Sequence, residues 1–259
     1  MRRVVPLLIL SLLATRGGPA MAEERGAGQT ACWFENGAVV APAAIGGIAG
    51  DYVIDLSAPH TLLHVDVAQG AGFTDTALTL PVRVAGRKVD AAPIAVQNLD
   101  YRAVGFSTPI MGVIGADILG RYGLALDFSP CRLRLERPGR VRGGWKGGLP
   151  VTIVGGVPTV LAAASNGLHG ISGPFALDTA SAGGVRARGA ADGPRQKPVG
   201  TLSGLSLNGA LRQDLPAVVA GDLPAGVVGA IGVRVLAGYR LRLDPTALRL
   251  WLTPIPAGR

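Results

Sequence analysis

Aromatic residues make up only 5% of this 259-residue chain and charged residues 16%. There are two cysteines and three histidines. Two cysteines exclude a disulfide-dense scaffold and are too few to build a zinc site by themselves. The arginines are scattered, many alternating with leucine as in Arg132, Arg134 and Arg242. Nucleic-acid binding needs a clustered basic stripe with stacking aromatics, and neither is present. After the first 22 residues no stretch has the length and apolar texture of a membrane span. What the chain does have is glycine and proline, 39 and 19 residues. With 48% hydrophobic residues, it is apolar enough to bury one or two ordinary cores. It is too rich in turn formers for a long-helix protein, so mostly β structure is expected.

The first 22 residues stand apart. Met1-Arg2-Arg3 is a basic head, Val4 to Ala14 is apolar, and Ala20-Met21-Ala22 is a small-residue cleavage pattern. This reads as a secretory signal peptide, with an uncleaved anchor as the alternative. The expected localisation is exported, periplasmic or secreted. Without the leader, 22 basic residues face 17 acidic ones, and the formal charge falls from +8 to +5. In an oxidising compartment the default for Cys32 and Cys131 is a disulfide, and two buried thiols are the alternative. A bridge closing so long a loop stabilises by constraining the unfolded chain.

The chain repeats itself once. Val113-Ile114-Gly115 through Asp127 aligns without a gap on Ala230-Ile231-Gly232 through Asp244, at an offset of 117. Ile-Gly, Leu, Tyr, Leu, Leu and Asp recur in register. Each block reads as strand, Gly turn, short helix, strand, turn, strand. Upstream of each block an apolar strand runs into an aspartate and small residues: Tyr52-Val-Ile-Asp55-Leu-Ser57, and Phe175-Ala-Leu-Asp178-Thr-Ala180. Between them, Leu78–Ala85 and Val89–Val96 read as a hairpin turning at Gly86-Arg87. Leu202–Leu207 turns at Asn208-Gly209, a favoured hairpin dipeptide. The Gly-rich, charged stretch from Arg137 to Gly148 suits a linker. The expected organisation is a signal peptide over 1–22, one lobe over 23–140 and a second over 141–259.

These residues resemble an aspartic protease lobe, most closely that of the retropepsin-like bacterial aspartyl proteases. Two lobes in one chain are arranged as in pepsin-like enzymes. The resemblance covers the chain from about Val39 to Leu252. It implies an acid-protease fold, with two homologous β-barrel-like lobes and a cleft between them. It also implies an endopeptidase that activates water between Asp55 and Asp178, with Ser57, Thr179 and Ala180 supporting the dyad. The partner would be a peptide or protein substrate, the protein a monomer, and no cofactor or metal would be needed. Two nearby carboxylates cannot both ionise cheaply, so one holds a proton and acts as acid while the other acts as base. A flap over the cleft is expected in the Gly70-Ala-Gly-Phe73 region.

The sequence departs from the family's Asp-Thr/Ser-Gly at both sites. Leu56 has no hydroxyl to tie the two loops together, while Thr179 has one. Ser57 and Ala180 stand where glycine is usual, and a Cβ there is costly if the loop needs positive φ. Two other readings therefore stay open: a catalytically inactive relative that binds peptides or an envelope protein in the same cleft, and a purely structural envelope protein.

Other candidates have plainer readings. Asp127 and Asp244 are expected to accept backbone N–H groups in tight turns. Asp117, matched by Arg234, is expected at a helix start or on the surface. His60 and His64 are four apart, but no third ligand and no H-E-x-x-H glutamate accompany them. No G-x-S-x-G elbow and no phosphate-binding glycine fingerprint occurs.

Overall fold

The computed structural model describes residues 28–141, 147–188, 196–207, 209–220 and 222–255. The leader, Asn208 and part of the linker lie outside them. The first half contains β1 (Gln29–Ala31), β2 (Trp33–Glu35), β3 (Ala38–Ile45), β4 (Ile48–Ile54), β5 (Leu62–His64), α1 (Val65–Gly70), β6 (Ala77–Val84) and β7 (Arg87–Gln97). It continues with α2 (Asp100–Ala103), β8 (Ile110–Ile114), α3 (Ala116–Leu119), β9 (Gly123–Phe128) and β10 (Cys131–Glu136). The second half contains β11 (Leu149–Pro150), β12 (Thr152–Val154), β13 (Val157–Ser165), β14 (Gly170–Leu177), β15 (Val185–Arg188), β16 (Gln196–Leu202), β17 (Gly204–Leu207) and β18 (Ala210–Arg212). Then follow β19 (Leu215–Ala220), β20 (Gly229–Ile231), α4 (Val233–Leu236), β21 (Tyr239–Asp244) and β22 (Arg249–Pro254).

The first lobe is a seven-stranded sheet in the order β2-β3-β4-β8-β5-β7-β6, closed by a β3–β6 pairing. Closure hides the edges that an open sheet would expose. The second lobe repeats this order, but the long β6–β7 hairpin is replaced by the shorter strands β16 to β19. Both lobes use the same tight turns. Asn36-Gly37 joins β2 to β3 and Gly155-Gly156 joins β12 to β13, all four with positive φ. Such turns match the twist of antiparallel strands.

A third sheet joins the halves, in the order β1-β10-β9-β21-β22-β11. Across its centre Leu124 pairs with Leu243, Ala125 with Arg242, and Leu126 with Leu241. Leu124, Leu126, Leu133, Leu135, Leu241, Leu243 and Leu250 are all buried on this sheet. Burying a leucine contributes about 1.5–3 kcal/mol, so this alternation alone holds the lobes together firmly. Cys32 and Cys131 are joined in a disulfide that ties the start of β10 to the β1–β2 junction.

The structure corrects two expectations. Gly70–Phe73 is no flap: it closes α1, with Phe73 N–H donating to Ala68 O at 2.9 Å. The β6–β7 hairpin does not take up that role either. Its tip lies at the joining sheet, where Arg87 Nε donates to Leu135 O at 2.8 Å. Asp127 makes no turn but receives Arg242 from the other lobe, Nη1 to Oδ1 at 3.1 Å. Pro130, three residues on, lacks the N–H that Ala247 gives Asp244, and Arg242 takes the carboxylate instead. Asp244 does form its turn, with Oδ1 accepting from Thr246 N at 2.9 Å and Ala247 N at 3.0 Å. Asp117 begins α3, but its carboxylate is tied to the loop after Asp55. It accepts from Thr61 N at 3.1 Å and Thr61 Oγ1 at 2.7 Å.

Candidate active site

Asp55 and Asp178 occupy matching places just past the ends of β4 and β14. Asp55 N–H donates to Ile114 O at 3.0 Å, and Asp178 N–H to Ile231 O at 2.9 Å. Ser57 N–H caps Asp55 Oδ1 at 2.8 Å, and Ala180 N–H caps Asp178 Oδ1 at 3.0 Å. The Ile-Gly blocks close over these loops from behind. A Cβ on Gly115 would lie 2.5 Å from His60 O, and one on Gly232 would lie 2.1 Å from Gly183 O. Only glycine permits that approach, which is why Ile-Gly recurs in both halves.

The two loops are also tied to each other, from one side only. Thr179 Oγ1 donates to Ile54 O at 2.6 Å and accepts from Leu56 N at 3.1 Å. Thr179 O accepts from Val39 N at 2.9 Å. The strand pairings make Pro158 the counterpart of Val39. Leu56 has no hydroxyl and Pro158 no N–H, so none of these three bonds can be returned. Ser57 and Ala180 are not among the positive-φ residues. Their Cβ atoms therefore carry no left-handed penalty, and the glycine departures cost no backbone strain.

Both aspartates are almost fully buried, at 1% exposure each, yet both line one cleft of about 310 Å³ between the lobes. Asn36, Tyr101, Arg102 and Phe106 form the wall from the first lobe; Ser181 to Gly183, Arg186 and Asp222 form the wall from the second. Burial pushes the Asp178 carboxyl above its ordinary value of 3.8; Arg186 opposes that shift and the charge of Asp55 adds to it.

Each aspartate also carries an arginine. Arg102 Nη1 donates to Asp55 Oδ2 at 2.7 Å. Asp55 Oδ1 accepts from Ser57 Oγ at 2.6 Å as well as from Ser57 N–H. Arg186 Nε lies 2.7 Å from Asp178 Oδ2. That pair is an ion contact without hydrogen-bond alignment, because neither atom has a hydrogen-bond partner. Arg186 is held more squarely by Asp222, with Nη1 at 3.1 and 3.3 Å from its two oxygens.

Sequence reasoning missed both arginines. Arg186 had a signal: the strand pairings place it where the first lobe has Leu62, against Ala230 and Val113 respectively. A charge at a core strand position opposite a leucine marks a site. Arg102 had none, because among the described residues α2 has no counterpart helix in the second lobe. His64 joins no pair with His60. Its Nδ1 accepts from Asp66 N at 3.2 Å, and its Nε2 faces Asp100 Oδ1 at 3.0 Å. Asp66 also brings a ligand atom within 4.8 Å of those of His64 and Asp100. Both ring nitrogens are already engaged in the hydrogen bonds just described.

No protein-family profile matches the chain, and no curated protein matches it by sequence. Its structure is similar to that of the aspartic proteinase from Irpex lacteus. The TM-score is 0.53 over 88% of this chain and 97% of that one, at 12% identity. The fold is the acid-protease fold. The likeness is one of fold, two barrel-like lobes, because so low an identity carries no residue roles with it. In this acid-protease fold the two aspartates stand in equivalent loops, one contributed by each half.

Proposed function

We propose that the chain is an exported aspartic-type endopeptidase that acts as a monomer on extended peptides, with Asp55 and Asp178 as its dyad. One observation carries the reading. Thr179 joins the two aspartate loops back to back, at 2.6 Å to Ile54 O and 3.1 Å to Leu56 N, and both carboxylates line the same cleft. Asp178, with its carboxyl shifted toward the neutral form by burial, is the acid that donates to the substrate carbonyl oxygen. Asp55 is the base that takes a proton from the attacking water. Ser57 holds Oδ1 of Asp55, and Ala180 holds Oδ1 of Asp178. The Cys32–Cys131 bridge and the leader-like first 22 residues support export.

Purified mature protein should cleave denatured protein substrates best below neutral pH. Asp55→Asn and Asp178→Asn should each abolish cleavage. Activity that survives both changes would remove the dyad from the mechanism.

A second reading is favoured by the arginines. With Oδ2 of each aspartate facing a guanidinium, the cleft can hold a peptide without hydrolysing it. Peptide binding with no turnover at any pH, little changed by Asp178→Asn, is the outcome that supports it.

A further inference from the structure

The two arginines differ in what they lose when their aspartates engage a substrate. Arg186 has a 9% exposed side chain and keeps Asp222 if Asp178 turns away. Arg102 has no such reserve. Among the described residues its carboxylate partner is Asp55 alone, and its other neighbour is the Tyr101 ring, 5.8 Å from the guanidinium carbon to the centroid. Both oxygens of Asp55 are engaged too. Oδ1 accepts from Ser57 N and Oγ, and Oδ2 accepts from Arg102. Arg102 occupies one acceptor site of Oδ2, so its release opens that side of the carboxylate to water. A partly buried charge stripped of its partner loses stabilisation, so an anion that replaces Asp55 on Arg102 favours the release.

We propose that the cleft selects peptides carrying an aspartate or glutamate beside the segment that spans the dyad, and that Arg102 is the residue that reads it. The inference rests on the proposed function, because it identifies the substrate class of that same cleft. The peptide carboxylate replaces Asp55 on the guanidinium, and Asp55 is released to hold water. Arg102 is placed for the exchange. Its side chain is 24% exposed, so a ligand can reach it from the cleft more readily than it can reach Asp55, which is 1% exposed. Its neighbours Tyr101 and Phe106 line the same wall and supply apolar surface for the peptide on either side. A neutral or basic peptide offers Arg102 no replacement and leaves the pair closed. The α2 segment that carries Arg102 is pinned at both ends, by His64 on Asp100 at 3.0 Å and by Asn36 Nδ2 on Val104 O at 2.7 Å. The guanidinium can therefore change partner without the segment moving.

The experiment uses the full mature chain and matched peptides that differ only in Glu against Gln near the centre. Cleavage is read by mass spectrometry and binding by fluorescence anisotropy. The parent protein should favour the Glu peptide by roughly tenfold in kcat/KM or in Kd, the range of a charge pair formed in a partly desolvated cleft. Arg102→Gln should erase that preference, and Arg102→Lys should keep most of it. Equal treatment of the two peptides by the parent overturns the inference, as does a preference that survives Arg102→Gln. Selective binding of the Glu peptide with no cleavage of either sinks the peptidase reading and leaves this one standing. Cleavage dependent on Asp55 with no acidic preference does the reverse.

Discussion

Ala125 and Arg242 face each other across the strand pair where the two lobes meet, and the twofold relation between the halves passes between them. The flanking leucines pair in exchange, Leu124 with Leu243 and Leu126 with Leu241. The offset of 117 that relates the repeated blocks turns each of these pairs into the other. The axis is imperfect at its centre, where one half has alanine and the other an arginine reaching Asp127. The same mixture of shared backbone and unequal side chains holds in the cleft that Asp55 and Asp178 line.

Thr179→Val keeps the shape of the side chain and removes the hydroxyl. It leaves Ile54 O and Leu56 N without their partner in a buried place. Each unsatisfied group costs about 1–3 kcal/mol. Urea unfolding should show a loss of about 2–4 kcal/mol, and Thr179→Ser should recover most of it. A loss below about 1 kcal/mol would mean that the loops are held together by something else.

Gly115→Ala and Gly232→Ala should both be costly. The added Cβ meets backbone oxygens at 2.5 and 2.1 Å, and neither oxygen belongs to a side chain that can swing away. Overpacking of this kind costs about 1–3 kcal/mol, and the tighter Gly232 site should lose more. Gly70, which has open space around its Cβ position and no positive φ, is the control for the clash alone. Equal melting temperatures for Gly115→Ala and the parent protein would contradict the close approach.

Stability should depend on pH through Asp178. Burial raises its folded carboxyl above the ordinary 3.8, against the pull of Arg186. The native state therefore binds more protons than the unfolded chain between those two values. Stability from this group is greatest below the unfolded value and declines as pH rises through the raised folded value. The difference in unfolding free energy between the parent and Asp178→Asn, taken across acidic pH, isolates that decline from the histidines. A difference that stays flat with pH would show that Arg186 cancels the effect of burial.

Removing the bridge by Cys32→Ser with Cys131→Ser frees the strand that begins β10. The loop it closes spans a sequence separation of 99 residues, and the chain-entropy account gives about 4–5 kcal/mol for such a loop. Reductant should lower the melting temperature of the parent and leave the double variant unchanged. Identical melting of the parent with and without reductant would show that the bridge adds nothing to stability.

Much of the fold was legible because periodicity and duplication are local properties. The Leu124–Asp127 and Leu241–Asp244 strands alternate visibly, Ile-Gly recurs at one spacing, and the residues after each strand end in Asp. The hairpin of β6 and β7 was legible from its alternation and its turn. The placement of Asp55 and Asp178 in equivalent loops was legible from the same repeat. The flap was not legible, because a Gly-rich stretch closes a helix as readily as it turns a hairpin. The role of Asp127 was misread because the deciding partner, Arg242, lies 115 residues away. Arg102 sits in an irregular segment whose aim is set by Asn36 and His64, both distant in sequence.

The sequence alone determined that the chain is mostly β, that it is built twice from one plan, and that each copy ends a strand in an acid. Those follow from pattern, spacing and turn chemistry. Only the tertiary structure decided that Thr179 ties the two loops from one side, that Arg102 and Arg186 cover the acids, and that Asp222 shares one of them. Partnership between charges depends on which distant segments packing brings within about 3 Å, and no local pattern encodes that distance.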